Sequence, residues 1–291
     1  RPLRARTALP RALTTALQWR LLLLWILTTL LCALVAGLPL WSWLGSQLDH
    51  ALQSTVIANG QAPTLLLDAL MTPGTALGVL GANVRIAGLL LLLASPLLTG
   101  ATIAAARSRS ALGFGDLLRG GISEYGPLLR MLLWSVIPLG IAIAIMAMGF
   151  GVNEKLHEHA ILASDVDTGR NIAIGIGALL LILAHAGIEA GRGWLAADAR
   201  LRSALKAWWR GMALLAKRPI AVLSAYLVPT LCSLLAAVLL LALRQHLQGA
   251  GFASFVLTML LGCAISAALA WGKVARLFAF RALAEDAHNR R

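Results

Sequence analysis

Six stretches of this sequence carry no Lys, Arg, Asp or Glu: Leu21–Leu40, Ile86–Ala106, Met131–Gly151, Asn171–Ile188, Ile220–Leu243 and Phe252–Gly272. Nothing else constrains the fold as strongly. A helix of about 20 apolar residues crosses the roughly 30 Å hydrocarbon core of a bilayer. An amphipathic helix on a soluble core would instead show polar residues on every turn. The runs do not alternate with period two and are longer than barrel strands, so β-structure is not expected. Only 13% of the residues are charged and 59% are hydrophobic, against about 25% charged in a typical soluble domain. The reading is an all-α, polytopic membrane protein of one domain with six transmembrane helices.

The formal net charge of +13 raises nucleic acid as a partner, but the placement of the charge argues against it. Only Arg85, Lys155, Arg170 and Arg244 fall on one side of the predicted spans, and the other Lys and Arg fall on the opposite side. That bias is the positive-inside pattern. It places both termini in the cytoplasm and points to anionic inner-leaflet lipid as the partner of the basic segments. Arg1, Arg4, Arg6, Arg11 and Arg20 precede the first apolar run. That run is too long for a signal-peptide core and lacks a clear small-residue cleavage site, so it reads as an uncleaved first helix. Cys32, Cys232 and Cys263 all lie within apolar runs. They suit small-residue packing and form neither a metal-ligand pattern nor a disulfide framework.

A repeat is visible on the basic side. Arg109-Ser110-Ala111-Leu112 recurs as Arg202-Ser203-Ala204-Leu205, Arg119-Gly120 as Arg210-Gly211, Pro127 as Pro219 and Pro138 as Pro229. A fainter copy opens the chain with Arg6-Thr7-Ala8-Leu9 and Pro39. The pattern predicts three tandem units, 1–106, 107–197 and 198–291, each a basic interfacial helix followed by a transmembrane hairpin. In the third unit Leu201, Ala204, Leu205, Trp208, Met212 and Leu215 recur at helical spacing, while Arg202, Lys206 and Arg210 form a second stripe. With Trp209 and Lys217, this is the pattern of a helix lying in the membrane interface with its cations toward lipid headgroups. A docking surface for a separate ATPase or another membrane subunit has the same appearance. Pro96, Pro138 and Pro229 fall inside spans, where proline removes a backbone hydrogen bond and kinks a helix.

The most specific polar set is His185, Glu189 and Arg192 near the end of the fourth run. Spacings of four and three place them on one helical face, and ionisable groups at membrane depth usually face a cavity or one another. They are the candidate lining for a translocated substrate; the plainer reading is a helix leaving the membrane. Gly187-x-x-x-Gly191 allows a close helix approach on the same segment. His157-Glu158-His159 in a predicted external loop is a weak metal signal, and no metal ligand set or cofactor is assigned. Gly113-Phe114-Gly115-Asp116 lacks the lysine and spacing of a phosphate loop and reads as a surface turn. No nucleophile elbow is present, and an enzyme is not expected.

Leu98-Thr99-Gly100, a basic step, and then Phe114-Gly115-Asp116-Leu117-Leu118-Arg119-Gly120-Gly121 ahead of the next span resemble a stretch of poorly characterised six-helix bacterial inner-membrane proteins. Those include the membrane domain fused to some glycerophosphodiester phosphodiesterases. The resemblance covers most of the chain in layout and only this stretch in residues. It implies a bacterial inner-membrane location and no particular catalytic residue. The expected role is a membrane subunit of a transport or envelope-assembly system handling an amphiphilic or lipid-like substrate. A non-transporting scaffold subunit and an intramembrane enzyme are the alternatives.

Overall fold

The computed structural model describes residues 5–48, 76–108, 110–158, 163–247 and 252–290. These form eight helices: α1 (Ala5–Thr15), α2 (Trp19–Leu48), α3 (Ala76–Arg107), α4 (Phe114–Leu156), α5 (Ala163–Ala197), α6 (Ala204–Lys217), α7 (Pro219–His246) and α8 (Phe252–Asn289). The described residues include no strand. Six of the helices, α2, α3, α4, α5, α7 and α8, are long and apolar enough to cross a membrane. Each contains one of the six apolar runs.

The helices extend well beyond those runs. At 1.5 Å per residue, the 43 residues of α4 measure about 65 Å and the 38 residues of α8 about 57 Å. Both are about twice the thickness of a bilayer core. The basic segment before the third run is therefore not a separate element: it is continuous with the span through Pro127 and Pro138. Gly113 precedes the first residue of α4, so Gly115 and Asp116 lie in its first turn rather than in a surface turn. In the third unit the chain does break, and α6 is a separate helix of 14 residues. Ser203 caps it, its hydroxyl accepting from the Lys206 amide. Past the apolar runs that end at Gly151 and Leu243, α4 runs on to Leu156 and α7 to His246. Arg1, Arg4, Arg109 and His159 lie outside the described residues. His157 follows the end of α4, where its Nδ1 lies 2.9 Å from the Asn153 carbonyl oxygen.

Around the bundle the spans follow the order α2, α3, α4, α5, α8, α7, and α8 also packs on α2 and α1. The buried core is concentrated at the basic end. It comprises three clusters built around Leu128, Met131, Ile188 and Trp194; Ala186, Val222, Phe280 and Leu283; and Leu21, Leu98, Leu117 and Val274. Toward the other end the side chains turn outward: Ile141, Ile143, Met148, Ile172, Leu179, Leu235, Leu239 and Leu260 are all exposed. Exposed large apolar residues at this density suit a hydrocarbon solvent and not water. Cys32 is buried and Cys263 partly so, but Cys232 is exposed, so packing accounts for the first two only.

Ion pairs lock the basic end together. Arg107, the last residue of α3, donates to the Leu195 and Ala196 carbonyls at 2.6 and 3.0 Å and to Glu124 Oε1 at 2.7 Å. It thereby caps the C-terminus of α5, whose last carbonyls have no helical partner, and ties that end to α4. Arg218, just before α7, reaches Asp286 of α8 at 2.6 Å. The Trp271 indole N–H donates to the Leu13 carbonyl at 2.9 Å and holds α1 against α8. Gly187 and Gly191 let α6 approach α5. A Cβ on Gly211 of α6 lies 2.5 Å from both the Gly187 oxygen and the Gly191 nitrogen, closer than side chains tolerate.

Candidate functional site

α5 places His185, Glu189 and Arg192 on one face, as their spacing predicts, and that face turns inward. Glu189 is 3% exposed. Its Oε1 accepts from Arg192 Nη1 at 2.6 Å, and His185 Nε2 lies 3.7 Å from the same oxygen. The other carboxylate oxygen faces α8, where Arg276 Nε lies 3.5 Å away. Arg276 is itself 8% exposed. It donates through Nη1 to Thr230 Oγ1 of α7 at 3.1 Å and lies over the Tyr226 ring at 5.2 Å. The Tyr226 hydroxyl is 2.8 Å from His185 Nδ1. Residues of α5, α7 and α8 thus form one polar cluster around the Glu189 carboxylate.

The cluster borders open space. A cavity of about 420 Å³ is lined by His185, Glu189, Arg192, Lys273 and Arg276, with Trp25 of α2 and Ser95, Thr99 and Thr102 of α3. A second cavity of about 280 Å³ shares Trp25, Lys273 and Arg276 and continues between α2, α7 and α8. Lys273 lies 5.1 Å from the centre of the Trp25 ring and makes no ion pair among the described residues. Trp25 leaves its buried indole N–H without an acceptor, and buried Arg276 Nε likewise has no hydrogen-bond partner. Arg192, Lys273 and Arg276 together bring three positive charges to the cavity, and Glu189 brings one negative charge.

The depth of the site follows from the chain. Glu189 is the first residue after the fourth apolar run and Lys273 the first after the sixth. Arg276 lies three residues further along α8, about 5 Å at helical rise. The charged wall therefore sits at the edge of the apolar layer, where headgroups meet acyl chains. Lys273, Arg276, Tyr226 and Thr230 were absent from the sequence-derived site. The available signal was Lys273-x-x-Arg276, two cations one turn apart directly at the end of a span.

The predicted interfacial residues are placed differently from one another. Arg210 pairs with Asp198 at 3.3 Å and lies over the Trp194 ring at 5.4 Å. Arg202 lies 3.9 Å from Glu124 Oε2 and donates to the Ser123 carbonyl at 3.1 Å. Lys206 and Lys217 are exposed and make no ion pair among the described residues. Trp209 is 68% exposed, whereas Trp208 is partly buried against Trp134, with ring centroids 5.6 Å apart. The face of α6 formed by Ala204, Ala207, Gly211, Leu214 and Leu215 is buried, so α6 packs on the bundle and presents only its outer side. The described residues contain no group of three or more His, Cys, Asp and Glu arranged to hold a metal. No protein-family model, curated protein or solved structure matches this chain.

Proposed function

We propose that the protein is a membrane subunit of a transport or envelope-assembly system that receives an anionic, lipid-like substrate in the cavity bounded by α2, α3, α5 and α8. The single observation that carries this reading is the charge imbalance at that depth: Arg192, Lys273 and Arg276 face a cavity of about 420 Å³ with only Glu189 opposite. Uncompensated charge beside hydrocarbon is costly, and such residues usually serve a substrate or ion path. A phosphate or carboxylate headgroup restores neutrality, while apolar walls such as Leu92 and Leu277 accept the adjoining chain. The role is binding and movement, not bond-making chemistry. The positive-inside bias supports a cytoplasmic location for the arginine-rich end and both termini, and the resemblance in layout to six-helix bacterial proteins supports the bacterial inner membrane. The exposed outer side of α6, with Lys206, Trp209 and Lys217, then meets anionic inner-leaflet lipid or a separate ATPase.

The test is a titration of the purified full chain in neutral detergent with soluble dihexanoyl phosphatidic acid or dihexanoyl phosphatidylcholine, read as a shift in unfolding temperature. A ligand at 100 times its Kd stabilises by about 2.7 kcal/mol. Phosphatidic acid is expected to raise the midpoint and phosphatidylcholine to leave it unchanged, and Lys273→Gln is expected to remove most of the difference. Equal shifts with both lipids, or a Lys273→Gln protein that responds fully, would overturn the substrate reading. The scaffold alternative, in which the charges only hold helices together, predicts the first result.

A further inference from the structure

Apart from the central cavity, α4 and α6 border a further groove. A groove of about 730 Å³ is lined by Arg130, Leu133, Trp134 and Ile137 of α4, by Arg202 and Ser203, and by Ala204 and Leu205 of α6. Its lining separates by depth. Arg130 is the last residue before the third apolar run, and Leu133, Trp134 and Ile137 follow three, four and seven residues later, on the same helical face. Ile141 continues that face and is exposed. One stripe of α4 therefore carries a cation at the edge of the apolar layer and aliphatic surface running inward from it.

Arg202 comes to the same groove from the other side. It is half-exposed, and its carboxylate neighbour Glu124 is the one already held by Arg107 at 2.7 Å, against 3.9 Å for Arg202. Arg130 is exposed and has no ion pair or hydrogen bond among the described residues. Ser203 also places the first turn of α6 at the groove, where backbone N–H groups without helical partners favour an anion. Leu133, Ile137 and Leu205 remain exposed along its walls.

We propose that this groove is a binding site for one anionic phospholipid, with its phosphate between Arg130 and Arg202 and an acyl chain along Leu133, Ile137 and Ile141. The occupant follows from charge and depth together. Arg130 has no carboxylate partner among the described residues and Arg202 has only a distant share of one that Arg107 already holds, so the two guanidiniums favour a negative partner, and the aliphatic stripe below them favours a chain attached to it. A phosphate accepts from guanidinium forks in paired hydrogen bonds, and a free anion leaves the stripe uncovered. The site involves no residue of the central cavity, so it stands or falls separately from the substrate reading.

The experiment is native mass spectrometry of the purified full chain, delipidated and then supplied with equal amounts of phosphatidylglycerol and phosphatidylcholine. The wild-type chain is expected to retain phosphatidylglycerol preferentially. Each cation removed, Arg130→Gln or Arg202→Gln, is expected to reduce that preference by about fivefold, while Arg130→Lys keeps most of it. Arg202 also touches Glu124, so its variant can disturb packing; Arg130→Gln removes a side chain with no ion pair or hydrogen bond among the described residues and decides the matter. Equal retention of both lipids by the wild type, or an undiminished preference in Arg130→Gln, overturns the proposal. A loss in both Gln variants together with retention in Arg130→Lys supports it.

Discussion

Replacing Glu189 by Gln removes the negative charge that Arg192, Arg276 and His185 share, while nearly preserving the shape of the side chain. Arg192 can swing outward, since a fifth of its side chain is exposed, but Arg276 is held between α5, α7 and α8 with a tenth exposed. Its guanidinium is then left in the wall without a counter-ion. Removing one partner of a buried pair costs about 3–5 kcal/mol; with the amide still accepting from Arg192, the lower end of that range is expected. Arg276→Met is milder, because Glu189 keeps Arg192 at 2.6 Å; the lost charged contacts amount to about 2 kcal/mol. The informative protein is the double variant. Once Arg276 is gone, loss of Glu189 strands no buried cation, so Glu189→Gln with Arg276→Met should fall short of the sum by about 2 kcal/mol, within the range of directly contacting residues. Reversible unfolding of all four proteins in mixed micelles with increasing dodecyl sulfate, followed by far-ultraviolet circular dichroism, measures the cycle. Strict additivity, with Glu189→Gln costing less than about 1 kcal/mol, would show that Glu189 does not balance Arg276.

Gly211→Ala should destabilise by about 1–3 kcal/mol, because its new methyl meets backbone on both sides of the Gly187–Gly191 turn. Gly88→Ala, inside α3 with open space around the added carbon, should be neutral or gain up to about 1 kcal/mol from helix propensity, and the same unfolding assay separates the two. Arg107→Ala removes three hydrogen bonds that join α3, α4 and the end of α5. A loss of about 2–4 kcal/mol is expected, with faster amide exchange in the last turn of α5 as its local signature. Trp271→Phe removes the bond to the Leu13 carbonyl for about 1 kcal/mol, and limited proteolysis should then cut within α1 sooner than in the wild type.

The spans could be read from the sequence because length and freedom from charge are local properties, and a bilayer tests each segment separately. The helix ends could not. Beyond Arg130 and beyond Lys273 the chain is charged enough to resemble a loop, yet α4 and α8 continue as helices because other helices cover them. Helical spacing revealed that His185, Glu189 and Arg192 share a face, since all three lie within two turns of one element. It carried no information on Arg276, which reaches Glu189 from α8, or on Tyr226 and Thr230, which bond to His185 and Arg276 from α7, all by tertiary packing alone. The same limit explains Arg202 and Arg210. Their four-residue steps with Lys206 look like a stripe for headgroups, but Asp198 and Glu124, which engage two of the three, come from other segments.

The comparison that isolates the candidate site is with the other carboxylates at the basic end. Glu124 is bound by Arg107 and approached by Arg202, Asp286 by Arg218 and Arg290, and Asp198 by Arg210. Each links segments that would otherwise separate, and each is explained by that link. Glu189 also links helices, through Arg276, so ion pairing alone does not set it apart. What differs is the volume beside it and the surplus of cations around that volume, because Lys273 is drawn to the same space without a carboxylate of its own. Structural pairing accounts for a balanced contact; it leaves unexplained a cavity of about 420 Å³ with a charged wall at headgroup depth. An anion that enters and leaves accounts for both, and for that reason Lys273, which makes no ion pair among the described residues and only a ring contact with Trp25, is the most discriminating residue to change.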